Sequence, residues 1–207
     1  KLYLECYESD KPQLILEQGF GRYGSDGVWL ENIKRLKNDF SICLYDRAGL
    51  GKSEKGDVPF TVNDMANRLR SLLQNAKIKG PYYFSGGSYA SYIITAYNNL
   101  YPQEVMGAVL IDPPPLGYFY TMGTRWPENY QTDNQDLERF YQFEQSVHNP
   151  MFERVPENVD HMKSYALLAN ADNFGTKPII VVRSKLTGER YDPPFVPDDI
   201  AKSMDEL

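Results

Sequence analysis

The residues best placed to do chemistry lie in one stretch, Tyr82-Tyr83-Phe84-Ser85-Gly86-Gly87-Ser88-Tyr89-Ala90-Ser91. An apolar, aromatic run there predicts a buried strand over 81–84. The run meets a tight glycine turn, and helical spacing begins at Tyr89. A serine at such a strand–turn–helix junction sits on a sharp, strained bend with its hydroxyl held above the sheet, where it can act as a nucleophile. Small residues two positions to either side are a steric requirement of that bend, and Gly86 and Ala90 supply them. The helix that opens just after Ser88 favours negative charge developing on a substrate oxygen. A phosphate loop is excluded here because no Gly-Lys-Ser/Thr ends the turn. Gly49-Leu50-Gly51-Lys52-Ser53 lacks the upstream glycine that phosphate-loop spacing requires.

The elements that must position Ser88 alternate between strand-like and helix-like patterns, the signature of a mostly parallel sheet covered by helices. Strands are expected over 2–7 (at an edge), 13–16, 40–45, 81–84, 108–111 and 179–182. Trp29, Ile33 and Leu36 recur at helical spacing. Thr61 with Asp64 three residues later reads as a capping box. The helix it opens has Met65, Leu69, Leu72 and Ala76 on one apolar face. A further helix is expected from Tyr89 to Leu100. Asp112-Pro113-Pro114-Pro115 ends the following strand, since consecutive prolines cannot continue a ladder. From 116 to 176 the chain turns aromatic and polar, with two helices expected at about 134–147 and 159–171. Residues 1–115 and 177–207 then read as two parts of one core, and 116–176 as an insertion.

Composition bounds the function classes. The chain has 207 residues, enough for one domain with a sizeable core, with 42% hydrophobic and 24% charged residues, as in ordinary globular proteins. A net charge of −6 argues against nucleic acid as partner, because phosphate recognition needs a basic face. No apolar run reaches the roughly 18 residues of a membrane span. The chain begins at Lys1 and has no signal-peptide pattern, which suggests that a segment was removed upstream. Cys6 and Cys43 match no metal spacing, leaving buried free thiols or a disulfide.

The order strand, Gly-x-Gly loop, helix, strand, Tyr45-Asp46-Arg47-Ala48-Gly49-Leu50-Gly51-Lys52-Ser53, helix, strand, Ser88 turn, helix, strand ending Leu110-Ile111-Asp112 resembles the α/β-hydrolase superfamily, near bacterial esterases and proline-iminopeptidase-like hydrolases. The likeness covers roughly 2–115 well and 177–207 loosely. It implies an α/β fold, a mostly parallel sheet flanked by helices with a helical cap over 116–176. It further implies an oxyanion hole from the backbone N–H groups of Tyr89 and Phe20. Many relatives have His-Gly where this chain has Gln18-Gly19, and Gly-x-Ser-x-Gly where it has Ala90 last. Neither difference removes a backbone donor. The same fold places Cys6 and Cys43 side by side, so a cross-strand disulfide would fit an exported protein. The compartment otherwise stays open between cytoplasmic and exported.

The triad acid has two positions in the superfamily. Most members place it after the strand that ends here near Arg183, which offers Asp192 or Glu189. Some, as in haloalkane dehalogenases, place it after the preceding strand, where Asp112 stands. The histidine base normally comes last, on a loop after a final strand, and no histidine follows Arg183. His148 and His161 lie in the inserted segment and read as surface or cap residues. The expectation is therefore a chain that stops one helix and one strand early, with an exposed sheet edge prone to self-association.

Ester hydrolysis through an acyl-serine is the leading reading, with no metal or organic cofactor implied and a small, apolar ester or amide as substrate. Acidic residues of the insertion (Glu128, Asp133, Asp136, Glu138, Glu144) would suit an aminopeptidase's amine, or a solvated helix face. The alternatives are an amide- or peptide-cleaving, aminopeptidase-like hydrolase and a catalytically inactive binding protein that keeps the fold. The oligomeric state is not legible.

Overall fold

The computed structural model describes residues 1–148, 157–172, 174–183 and 193–205. Six strands form one sheet in the order β1-β3-β2-β4-β5-β6. They are β1 (Leu4–Tyr7), β2 (Gln13–Glu17), β3 (Ser41–Tyr45), β4 (Tyr82–Gly87), β5 (Val105–Ile111) and β6 (Ile179–Val182). Only β1, an edge strand, runs antiparallel to its neighbour. The chain is thus a mostly parallel α/β sheet, as its alternating pattern predicts.

Seven α-helices are described: α1 (Leu30–Leu36), α2 (Val62–Asn75), α3 (Ala90–Leu100), α4 (Tyr118–Thr121), α5 (Gln135–His148), α6 (His161–Ala169) and α7 (Asp198–Asp205). The inner strands read as continuous apolar runs because helices cover both faces. Side chains alternate along each strand. Leu14, Leu16, Ile42 and Leu44 therefore meet Ile33 of α1 on one face. Ile15, Cys43 and Phe84 meet Met65, Leu69, Leu73 of α2 and Ile93, Tyr97 of α3 on the other. Each such buried aliphatic or aromatic side chain contributes about 1.5–3 kcal/mol.

The capping box at Thr61 and Asp64 is formed as expected. The apolar face of α2 differs by one position at its end. Ala76 is the exposed C-cap, and Leu73 is buried in its stead, because the row 62, 65, 66, 69, 73 keeps the 3.6-residue period to the last turn. β4 and β5 are longer than the apolar runs suggest, since small residues such as Gly86 and Gly107 continue a ladder without an apolar side chain.

Between β5 and β6, α4 to α6 carry the aromatic segment. Trp126 and Leu137 form a separate cluster with Val196, Ile200 and Ala201, so α7 packs against α5's neighbourhood. At the far edge, Ile180, Val181 and Val182 of β6 are exposed.

The cysteines are bridged, not free: β1 and β3 pair with Cys6 opposite Cys43, and a disulfide joins them. It fastens the antiparallel edge strand across a sequence separation of 37. Such a loop closure stabilises by about 3–4 kcal/mol, chiefly through the unfolded chain. Guanidinium unfolding with and without reductant should show a loss of that size on reduction. An unchanged midpoint would mean the thiols are not bridged.

Candidate active site

Ser88 stands at the carboxyl end of β4, a strand flanked on both sides by parallel neighbours. Its φ is 54°, a left-handed conformation that a non-glycine residue adopts only when its surroundings impose it. Those surroundings are visible. The Ser88 N–H donates to Ile111 O at the end of β5 (2.8 Å), and Ser88 O accepts from Ser91 N–H (3.0 Å) and from Ser91 Oγ (2.9 Å). The residue is exposed and stands beyond the carboxyl end of β4. A Cβ at Gly86 would fall 2.4 Å from the Ala90 Cβ and 2.9 Å from Glu17 O. Crowding there explains the small residues at both positions, as the sequence pattern requires.

The Gln18–Arg22 loop after β2 lies directly alongside. A Cβ placed on Gly19 would be 3.7 Å from the Ser88 Cβ. Among the described residues, neither the Phe20 N–H nor the Tyr89 N–H finds a hydrogen-bond acceptor. The Phe20 ring meets Tyr89 at 5.5 Å and Phe119 at 5.3 Å.

What holds this loop is a buried ion cluster. The Arg47 guanidinium, 4% exposed, donates to Glu17 Oε1 (2.7 Å), Gln18 O (2.8 Å), Gly19 O (2.7 Å) and both oxygens of Glu157 (2.6 and 2.7 Å). Glu157 also accepts from the Gly21 N–H (2.7 Å), and Glu17 from the Tyr45 hydroxyl (2.5 Å). Burial disfavours the Arg47 charge, yet Glu157 and Glu17 outweigh it and push its pKa well up. Burial, then Glu17, pushes the Tyr45 hydroxyl well up too. Arg47 belongs to the Asp46–Ser53 segment that the sequence singles out. The rest of that segment is folded by Asp46, which accepts from Ser25 N–H, Ser25 Oγ and Lys52 N–H. Gly51 (φ 51°) is needed because a Cβ there would lie 2.3 Å from Asp46 Oδ2. Lys52 N–H is thus committed to a carboxylate.

Of the other expected residues, Asp112 directly follows β5, is exposed, has φ 44° and donates its N–H to Val182 O (2.7 Å). Since Ile111 O receives the Ser88 N–H, the chain brings Asp112 and Ser88 to the carboxyl ends of neighbouring strands. Asp192 and Glu189 lie outside the described residues, as does the side chain of His148. His161 is not a surface residue. It is buried, stacked on Phe119 at 5.5 Å and packed on Phe20 (5.5 Å) and Tyr89 (5.9 Å), because α6 starts against the Gln18–Arg22 loop. Nor is Glu144 a solvated acid. It is buried, with Arg125 and the Trp126 indole N–H as partners. Glu17 had a faint signal, a carboxylate ending a buried run; Glu157, 110 residues from Arg47, had none.

A cavity of about 570 Å³ lined by residues such as Gln13, Ser41, Lys77, Tyr83 and Met106 opens at the amino ends of the strands, away from Ser88. Ligands of open α/β sheets bind outside the carboxyl ends, where Ser88 stands. Among the described residues no group of three or more His, Cys, Asp or Glu is disposed to hold a metal, and no helix is long and apolar enough to cross a membrane.

A family model described as alpha/beta hydrolase fold matches residues 12–156. The chain belongs to the α/β-hydrolase family. Its relatives include the uncharacterized protein YqjL of Bacillus subtilis, 32% identical over 48% of this chain and 39% of that protein. Another is the provisionally named carbamate hydrolase RutD of Pseudomonas savastanoi pv. phaseolicola, 30% identical over 52% of this chain and 40% of that protein. The chain thus spans about two fifths of the length of these curated relatives. The structure of a thermophilic esterase from Thermogutta terrifontis, malate bound, shares the hydrolase fold at TM-score 0.59 and 16% identity, over 99% of this chain and 80% of that one.

Removing the cation of the cluster would leave Glu17 and Glu157 buried without it. Arg47→Met is therefore expected to destabilise the fold by about 3–5 kcal/mol. Arg47→Lys should recover little of this, because an ammonium cannot reproduce the fork that reaches five acceptor sites. Chemical denaturation of the variants measures both. A loss under about 1 kcal/mol for Arg47→Met would show that the cluster contributes little.

Proposed function

We propose that this hydrolase-fold protein cleaves carboxylic esters through an acyl-Ser88 intermediate. The observation that carries the reading is Ser88 itself, exposed at φ 54° beyond a central strand, with two amides, Phe20 and Tyr89, on the segments beside it that find no acceptor among the described residues. Ser88 Oγ attacks the ester carbonyl and gives its proton to a base. The carbonyl oxygen becomes an oxyanion, received by the N–H groups of Phe20 and Tyr89. Collapse breaks the C–O bond and expels the alcohol, which takes the proton back from the base. Water then repeats the sequence on the acyl-enzyme and releases the acid. Asp112 is the acid we assign to orient the base, with Asp192 the other carboxylate.

The base is a histidine in the superfamily's chemistry, and the chain's histidines are His148 and His161. We assign residues 116–176 to the cap over this site. Tyr89, Phe119, Tyr120, His161, Ser164 and Tyr165 line a gap of only about 10 Å³ between α4 and α6, no roomier than one water.

Cleavage of a C–N bond is the second reading, favoured by the name that the Pseudomonas relative bears. The burial of Glu144 on Arg125 speaks against that residue as an amine-binding group in an aminopeptidase.

Fluorophosphonate labelling beside Ser88→Ala, with p-nitrophenyl acetate and a p-nitrophenyl carbamate as substrates, tests the proposal. Labelling and acetate turnover should both occur and fall at least about a thousandfold in the variant. Labelling would further show that a base is within reach of Ser88 in this chain. Turnover that survives Ser88→Ala, or a folded protein that neither labels nor turns over, would sink the acyl-serine reading. A preference for the carbamate would favour the second one.

A further inference from the structure

Three backbone groups on either side of Phe20 end on two side chains, Arg47 and Glu157. Gln18 O and Gly19 O accept from Arg47, and the Gly21 N–H donates to Glu157. Phe20 lies between these tethers, flanked by Gly19 and by Gly21 at φ 68°. A glycine on either side gives the Phe20 peptide wide conformational freedom; within the loop the Arg22 N–H closes a turn on Gly19 O (3.2 Å), and from outside it Arg47 and Glu157 hold Gly19 and Gly21. Glu157 is not local to that loop. It comes on a segment bridged to Phe60, whose N–H donates to Asn158 O (3.0 Å) and whose O accepts from Asp160 N–H (3.0 Å). That segment leads straight into α6, where His161 packs on the Phe20 ring. The stretch over 157–161 therefore grips the loop twice, once through Glu157 on backbone and once through His161 on the ring.

We propose that Glu157, acting with Arg47, is a positioning residue that aims the Phe20 amide for the oxyanion and ties that aim to the placement of the segment entering α6. The proposal rests on the acyl-Ser88 reading. Its physical content is preorganisation: a donor fixed before charge develops needs no reorganisation at the moment of reaction. A misplacement on the order of 1 Å can cost about a hundredfold in rate. Glu157 does so without touching substrate. It fixes Gly21 on one side of Phe20 while its partner Arg47 fixes Gly19 on the other. A merely stabilising role would show as general weakening of the fold; a positioning role is confined to the loop and to kcat.

The test compares Glu157→Gln and Glu157→Ala with wild type and Ser88→Ala in the full chain. p-Nitrophenyl acetate kinetics and site-resolved amide hydrogen exchange are read on each. Glu157→Ala should lower kcat about tenfold to a hundredfold with KM within about twofold, because ground-state binding does not use the oxyanion donors. Exchange over 18–22 should quicken at least about tenfold while β4 and α3 keep their protection. Glu157→Gln keeps an acceptor for Gly21 and should fall between. The proposal is overturned if loop exchange stays at the wild-type rate, if it quickens only in step with β4 and α3, or if kcat is unchanged in a folded Glu157→Ala protein. Failure of the underlying reading is separate: it shows as turnover that survives Ser88→Ala, and the exchange result then still decides whether Glu157 holds the loop.

Discussion

The buried guanidinium of Arg47 is the interaction on which the rest of the site depends. It joins the end of β3 to the end of β2 through Glu17, to the loop beyond β2 through two carbonyls, and to the segment before α6 through Glu157. A planar fork with five donors can serve so many acceptors at once, which an ammonium cannot. One cation between two carboxylates in a dry setting is costly unless every lone pair finds a donor. The Tyr45 hydroxyl and the Gln18 and Gly21 N–H groups supply the remainder.

Around that cluster the sheet supplies rigidity. Parallel strands packed on both faces end together at a carboxyl rim, outside which open α/β sheets bind ligands, and Ser88, Asp112 and the Gln18–Arg22 loop all leave from it. The strained backbone of Ser88 persists because β5 accepts its N–H and Ser91 donates twice to its carbonyl. The close approach of Gly86, Ala90 and Glu17 lets the turn be that sharp. Backbone strain of this kind is upheld by ordinary hydrogen bonds and packing nearby.

Much of this was legible before any coordinates. Runs such as Leu14-Ile15-Leu16 and Ile42-Cys43-Leu44 announce buried parallel strands, and Thr61 with Asp64 announces a helix start. Gly86-Gly87-Ser88-Tyr89-Ala90 announces its turn because sterics there admit few alternatives. Element ends were less legible, as with β4 continuing through Ser85-Gly86-Gly87, since glycine in a ladder leaves no apolar mark. The state of Cys6 and Cys43 depended on strand order and register, which spacing alone does not encode. His161 read as an outlying residue because its neighbours Phe20, Tyr89 and Phe119 come from three distant segments.

The alternating architecture and the serine's turn are encoded locally, because they follow from periodicity along the chain and from the space a side chain occupies beside its own backbone. That Arg47 faces Glu17 and Glu157, that Glu144 is buried on Arg125, and that the disulfide spans β1 and β3 emerge only in the folded molecule. Those pairings depend on which side chains meet across distant segments. A buried charge takes whichever partner the packing brings near, and nothing in the local pattern of Glu157 records that its partner is Arg47.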